Sequence, residues 1–192
     1  MVIPKYQIVD YKETWPEEFT QLASQLRTAL GGLALRIDHI GSTAVPGLPA
    51  KDVIDIQITV AALNDDVITA MATLGYTLHE GNLGDHVPPG LSENPLEWEK
   101  LCFHAQPQQR RTHTHVRVLG RANQRYPLLF RDYLRTHPAT AEAYARLKRM
   151  LSEYLADPYM YPDVKDPAVD LIYLAAEEWA KQVNWQPGPS DI

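Results

Sequence analysis

Apolar residues recur at helical intervals through Phe19, Leu22, Leu26 and Leu30, which predicts a helix over Trp15–Leu30 ending at the Gly31-Gly32 pair. Thr14 and Glu17 have the spacing of a capping box, with Pro16 in the first turn. The period then falls to two. Leu33, Leu35 and Ile37 alternate with Ala34, Arg36 and Asp38, so a strand is expected over Leu33–Ile40, stopped by Gly41. A second strand follows at Ile54–Val60, where Ile54, Ile56, Ile58 and Val60 share one face and Asp55, Gln57 and Thr59 the other. Asn64 opens a helix that runs to Leu74, Gly75 ends it, and a short strand is expected over Tyr76–Glu80.

The stretch from 81 to 99, GNLGDHVPPGLSENPLEWE, is turn-rich and longer than ordinary connections, which marks it as a candidate active-site loop, with a disordered segment as the alternative. Strands are expected on either side of a polar hairpin loop, at Lys100–His104 and Thr112–Val118, the latter with His113, His115 and Arg117 on one face. From Tyr126 the pattern turns helical: Tyr126–Thr136, then a helix opening at Pro138 with Ala141, Tyr144, Leu147, Leu151 and Leu155 as its apolar stripe. Asp166-Pro167 reads as the cap and first-turn proline of a last helix whose core residues are Leu171, Leu174, Ala175 and Trp179, and the PGPSDI tail as frayed. The order of elements predicts one α/β (α+β) domain over residues 1–192. Its α/β core would reach about residue 120, with C-terminal helices over about 125–183 packed on it as one wall of a cleft.

With 45% hydrophobic residues in 192, the chain is long enough to bury one real core. No apolar run reaches the roughly 18 residues of a membrane span, and MVIPKYQIVDYKETW lacks the basic-then-apolar order of a signal peptide, so a cytoplasmic protein is expected. The single cysteine, Cys102, can form no internal disulfide and reads as an ordinary small buried residue. A formal charge of −6 argues against general nucleic-acid binding, yet residues 110–149 carry ten Lys and Arg against only Asp132 and Glu142. Solvated helix faces account for such a run, although the same charge makes a local field able to attract a polyanion such as a triphosphate.

The chemistry concentrates in residues 39–60, HIGSTAVPGLPAKDVIDIQITV. A helix, a strand, a Gly-Ser turn and then a strand bearing an outward Asp resemble the arrangement of the nucleotidyltransferase superfamily of the DNA polymerase β type. That resemblance implies a turn that approaches nucleotide phosphates and carboxylates on the next strand that hold Mg²⁺. The physics agrees, because only glycine lets backbone N–H groups approach phosphate oxygens closely and hard cations take carboxylate oxygens that bridge to phosphate.

A longer match is more specific. DHIGSTAVPGLPAKDVIDI, YKETWPEEF, THTHVRV, LLFRDYLRTHPATAEAYARLK and YPDVK together resemble the GrpB family, in the same order, from about Val9 to Trp179. The family is similar to the nucleotidyltransferase fold, and a related domain is fused to the C-terminus of some bacterial dephospho-CoA kinases. By this resemblance Gly41 and Ser42, with Thr43 beside them, occupy the phosphate turn, and Asp55 is the first metal carboxylate. Gln57 stands where the superfamily has a second Asp or Glu, and an amide supplies one neutral oxygen but no charge. Lys51, Arg131 and Lys165 are candidates to neutralise phosphate, each with an ordinary surface charge as the alternative.

His113 and His115 match the family's His-x-His strand. With Asp55 on facing positions they would form a two-histidine, one-carboxylate site suited to Zn²⁺, Mn²⁺ or Fe²⁺, where a purely carboxylate site would take Mg²⁺ or Mn²⁺. Without metal, both rings would hydrogen-bond to the polar face or to a phosphate. His39 can join either arrangement or merely satisfy the strand end, and no role is evident for Asp52. The expected function is metal-assisted binding of a nucleotide or other phosphate-containing small molecule, with nucleotidyl transfer as the candidate reaction and Asp55 and Gln57 in the catalytic positions. The alternatives are a catalytically silent module of the same fold serving a protein or CoA-related partner, and a nuclease-like or phosphoesterase site built on the two histidines.

Overall fold

A computed structural model of the chain describes residues 7–192, so the Met1–Tyr6 part of the expected core lies outside the described residues. Among the described residues five strands form one sheet: β1 (Arg36–Ile40), β2 (Ile54–Val60), β3 (Thr77–Leu78), β4 (Leu101–His104) and β5 (Thr112–Val118). Their order is β1-β2-β5-β4-β3, with β2 and β5 parallel and the other neighbours antiparallel. The helices are α1 (Trp15–Leu30), α2 (Asp65–Thr73), α3 (Ala122–Thr136), α4 (Pro138–Tyr154) and α5 (Tyr161–Val183). This is the mixed α/β sheet with C-terminal helices that the sequence implies.

One face of the sheet is apolar. Ile54, Ile56, Ile58 and Val60 pack with Phe103 and Val116 against Trp15, Phe19, Ala23 and Leu26 of α1 and Val67 and Met71 of α2. Pairing of β2 with β5 places Asp55 beside His113, Gln57 beside His115 and Thr59 beside Arg117, and these residues share the opposite, polar face. Helix α3 covers part of that face, where Gln57 Nε2 donates to the Gln124 carbonyl at 2.9 Å. The part bearing Asp55 and His113 lines a cleft. A second apolar cluster joins α3, α4 and α5 through Leu129, Phe130, Tyr144 and Tyr173, and it includes Val45 and Leu48 from the loop between β1 and β2.

Several elements depart from their expected bounds. Gly31–Leu33 continues α1 as a tight helical turn, so β1 begins at Arg36, with Ala34 buried and Leu35 45% exposed. Asp38 is fully buried because Arg36 grips its carboxylate through two hydrogen bonds, at 2.9 and 3.1 Å. Thr14 makes no capping bond to backbone; its hydroxyl donates to Glu18 instead, at 2.6 Å. Helix α3 starts a turn earlier than Tyr126, with Pro127 inside it, and α5 starts at Tyr161, with Pro162 in its first turn and Pro167 inside. Its buried face is Asp170, Tyr173, Ala176 and Ala180, whereas Leu171 is 71% exposed. Tyr173, Ala176 and Ala180 join α3 and α4 in the second apolar cluster, with Trp179 packed against it as expected, whereas Leu171 and Leu174 lie off that face.

The tail is not frayed. The Ser190 hydroxyl accepts from the Ile37 amide at 2.9 Å and the Asp191 carboxylate accepts from the His39 amide at 2.9 Å. The Ile192 amide donates to the Ile37 carbonyl at 3.2 Å, so the tail satisfies the free edge of β1. Asp191 also pairs with Arg131 at 2.9 Å, which is itself 4% exposed and donates to the His39 carbonyl. Replacement of Asp191 by Ala should lower stability by about 1–3 kcal/mol, because it strips partners from a buried amide and a buried guanidinium. Hydrogen exchange at His39 should accelerate in step; unchanged exchange there would refute the pairing.

Candidate functional site

The Gly-Ser turn ends β1. Gly41 has φ of +70°, and a Cβ there would fall on the Asp55 carboxyl group and lie 2.9 Å from the Asp55 Cβ. Glycine is therefore required both by the backbone and by the approach of the strand carboxylate. Ser42–Ala44 then form one tight helical turn. Thr43 is 1% exposed and its hydroxyl meets His39 Nε2 at 3.0 Å, so it points into the interior and not into the cleft. His39 is buried and stacked on Phe19, with ring centroids 4.6 Å apart. Burial pushes its pKa down to about 4 despite the pull of Asp55, and a neutral core imidazole results.

Next to the turn lies a cavity of about 240 Å³ lined by Ser42, Lys51, Asp55, His113, Lys148 and Lys165. Lys148 is 3% exposed; its ammonium donates to Ser42 Oγ at 2.8 Å and to the Pro49 carbonyl at 2.5 Å. It also lies 4.6 Å from the centre of the Tyr144 ring, and the Tyr144 hydroxyl is hydrogen-bonded with Ser42. Burial lowers the Lys148 pKa to about 7, and Lys165, Lys51 and Arg149 add to the shift against the opposing pull of Asp55. Lys51 stands 4.5 Å from the centre of the Tyr161 ring, and Lys165 is 3.6 Å from Asp166.

Asp55 and His113 do come together: Nδ1 of the histidine is 3.0 Å from the Asp55 carboxylate. A neutral His113 that donates from Nδ1 keeps a lone pair on Nε2 and can accept a proton from a hydroxyl in the cleft. His115 does not join them. It sits beside Gln57, not Asp55, and among the described residues no group of three or more His, Cys, Asp or Glu could hold a metal ion. Gln57 is fully buried, with its oxygen accepting from Arg117 at 2.9 Å and its amide spent on Gln124. The donor set thus fits poorly to a resident divalent cation, since one carboxylate and one imidazole share their cavity with three lysines.

On the other side of the turn a second cavity, of about 310 Å³, shares Ser42, Asp55, Tyr144 and Lys165 with the first. The 81–99 loop supplies Asp85, His86 and Trp98 to its wall, while His86 pairs with Asp170 of α5 at 2.9 Å. Asp85 accepts from Lys100 at 2.6 Å and from Arg117 at 2.7 and 3.0 Å. Burial would raise its pKa, but the Arg117 and Lys100 charges and the Arg117 hydrogen bonds hold it far below the usual carboxylate range.

The basic run from 110 to 149 is largely consumed by ion pairs: Arg110 with Glu18 and Asp52, Arg121 with Glu99, Arg125 with Glu177, Arg149 with Asp10. Arg131 belongs to the tail network and stays out of the cleft. Asp52 gains a structural role, since it accepts from Lys12 at 2.7 Å, Trp15 Nε1 at 2.9 Å and Arg110, which together outweigh burial and lower its pKa to about 2. The residue that sequence reasoning missed is Lys148. Its signal was its place four residues after Tyr144, which puts a charge on the buried face of α4.

Fold and site together define an α/β protein with a lysine-lined cleft at a glycine-serine turn. The chain belongs to the GrpB protein family, whose model matches residues 5–174. It is 37% identical over 191 residues to a dephospho-CoA kinase of Mycobacterium leprae, covering 90% of this chain and 46% of that protein. To a UPF0157 protein of Pseudomonas aeruginosa it is 35% identical, covering 86% and 65%. The chain thus spans about half the length of the dephospho-CoA kinases that it matches. The crystal structure of the conserved protein GrpB from Enterococcus faecalis superposes with a TM-score of 0.67 at 27% identity, over 88% of this chain and 98% of that one. A structure of Cid1 with its short product ApU covers 80% of this chain and 48% of that one, with a TM-score of 0.44 and 13% identity, a likeness that assigns no residue here. Among the described residues no helix is long and apolar enough to cross a membrane.

Proposed function

We propose that this GrpB chain binds a phosphate-bearing small molecule, of the nucleotide or CoA type, at the Gly41-Ser42 turn, and that lysines take the part that divalent metal plays in the wider fold. The observation that carries this reading is Lys148, a buried lysine whose amine donates to the Ser42 hydroxyl, with Lys51 and Lys165 lining the same cavity. Three ammonium groups around one turn favour an anion and oppose a second cation. Binding comes without metal-dependent nucleotidyl transfer, because Gln57 supplies no charge and both of its ends are engaged. The Asp55–His113 pair is then an acid–base group beside the bound phosphate, and a cytosolic setting suits a free, buried Cys102.

Calorimetry with inorganic tripolyphosphate in EDTA tests the reading. Saturable binding is expected, and at about a hundred times the dissociation constant the ligand should stabilise the fold by roughly 2.7 kcal/mol. Binding that appears only on adding Mg²⁺, Mn²⁺ or Zn²⁺ would restore the metal, and no binding under any condition would end the proposal. A second reading is an accessory module, favoured by the 46% share that this chain covers in the Mycobacterium leprae dephospho-CoA kinase. Selective binding of dephospho-CoA or CoA over tripolyphosphate would support it.

A further inference from the structure

Ser42 is partly buried and lines both the lysine cavity and the inner one, so it stands where the two meet. Arg135 holds the turn that carries it, donating twice to the Ala44 carbonyl at 2.8 and 3.0 Å. Ser42 Oγ is 2.8 Å from the Lys148 amine, which also donates to the Pro49 carbonyl at 2.5 Å. Its other partner is the Tyr144 hydroxyl, which burial keeps protonated. The groups facing the amine are Tyr144 and Arg149 of α4, Lys51 of the loop before β2, Asp55 of β2 and Lys165 of α5. Burial, helped by Lys165, Lys51 and Arg149 against the pull of Asp55, leaves the amine partly neutral near pH 7. A neutral amine keeps a hydrogen for Pro49 and gains a lone pair, so the contact with Ser42 can run the other way, with the serine donating.

A serine hydroxyl is a weak nucleophile until a neighbouring base takes its proton, and a lysine serves as that base only where its surroundings make it neutral. We propose that Ser42 is a nucleophile with Lys148 as its base, and that Oγ takes the terminal phosphoryl group of a polyphosphate chain bound in the lysine-lined cavity. The Oγ–H proton passes to the lone pair of Lys148, Oγ bonds to the terminal phosphorus, and the bond from that phosphorus to the bridging oxygen breaks. The electron pair leaves with the shortened chain, and Lys51 and Lys165 in the same wall balance its charge. Water then attacks the phosphoserine and gives its proton to His113 Nε2, while Asp55 holds Nδ1 at 3.0 Å. The phosphorus–Oγ bond breaks, Oγ recovers its proton from Lys148, and orthophosphate leaves. The charged amine favours the anion and the neutral amine the reaction, so affinity and rate move in opposite directions with pH. The assignment rests on the phosphate-binding reading and names what the site does to its ligand.

The test incubates the chain with tripolyphosphate in EDTA and reads orthophosphate release and intact mass, with calorimetry for binding and thermal unfolding to verify each variant. Wild type is expected to release phosphate. His113→Gln, slowed in the second step, should gain the mass of one phosphoryl group, mapped to Ser42. Ser42→Ala should gain none, and its release should fall by about 100-fold or more. At saturating tripolyphosphate the wild-type rate should rise with pH across neutrality, whereas Lys148→Met should be slower by about 10²–10⁴-fold and lose that slope. A parallel run with ATP separates a nucleotide donor from an inorganic chain by which of them labels Ser42 faster. Binding without phosphate release or label overturns the nucleophile and leaves the phosphate reading standing. Release from Ser42→Ala at the wild-type rate also overturns it, and no binding of either compound brings both readings down.

Discussion

Lys148→Met is expected to weaken tripolyphosphate binding by about 10- to 150-fold, the loss of one charge-assisted contact worth roughly 1.5–3 kcal/mol. The fold should survive, because methionine fills similar volume and the removed charge was itself expensive to bury. The variant should also change the pH dependence. With a pKa lowered to about 7, the amine is partly neutral at physiological pH and must take up a proton to face an anion. Wild-type affinity should therefore fall as pH rises above 7, by up to about tenfold per unit, while the methionine variant loses that slope. Calorimetry in buffers of different ionisation enthalpy reads the proton uptake directly; identical heats in all buffers would refute it. Stability of the unliganded protein moves the other way. The unfolded lysine keeps its proton to about pH 10.4, so between 7 and 10.4 the unfolded chain binds more protons and this group makes stability rise with pH.

Asp85→Ala is expected to cost about 3–5 kcal/mol, more than any surface change in the cleft, because it leaves two buried cations without their anion. Lys100 and Arg117 are each 5% exposed and both bond to this carboxylate. The sign with pH is opposite to that of Lys148. The native carboxyl stays ionised far below the unfolded value of about 3.9, so its contribution is fully present at neutral pH and is lost as pH falls below about 4. Urea titrations at pH 7 and pH 3 should show a difference between wild type and variant that is smaller at pH 3 by about 1.3 kcal/mol, since the folded carboxyl is still ionised there and only the unfolded one has taken up its proton. A midpoint at pH 7 unchanged by the substitution would show that the cluster contributes nothing.

What the sequence could show depended on how far apart the interacting residues lie. Helix α1, strand β2 and strand β5 occupy their predicted spans, since each carries an unbroken period over one buried face. Gly41, Ser42 and Asp55 were picked out by the resemblance to a family pattern, and the fold brings the three to one cavity because the turn and the strand lie close in sequence. The fate of Gln57 was not, because it is settled by Gln124, 67 positions away, and Arg117, 60 positions away. Lys148 reaches Ser42 across 106 positions, so its spacing from Tyr144 could mark it as a charge on the buried face of α4 but not name the partner it meets. In α5 Leu171 and Leu174 face outward while Tyr173, Ala176 and Ala180 are buried, because the buried face is chosen by contacts with α3 and α4, which lie far away in sequence. The tail misled for a similar reason, as PGPSDI has no periodicity and takes its order from the unpaired edge of β1.

The loop after Ser42 has a foot in each apolar cluster's territory: Val45 and Leu48 pack among α3, α4 and α5, while Ala50 belongs with α1 and the sheet. Hydrogen bonds from Arg135 to the Ala44 carbonyl and from Lys148 to that of Pro49 tie its backbone between those anchors. A turn held this way is already ordered in the unliganded chain. On the proposed reading the entropy of organising it is met during folding, so an anion would encounter a turn already in place, and affinity would reflect the contacts and the protonation of Lys148.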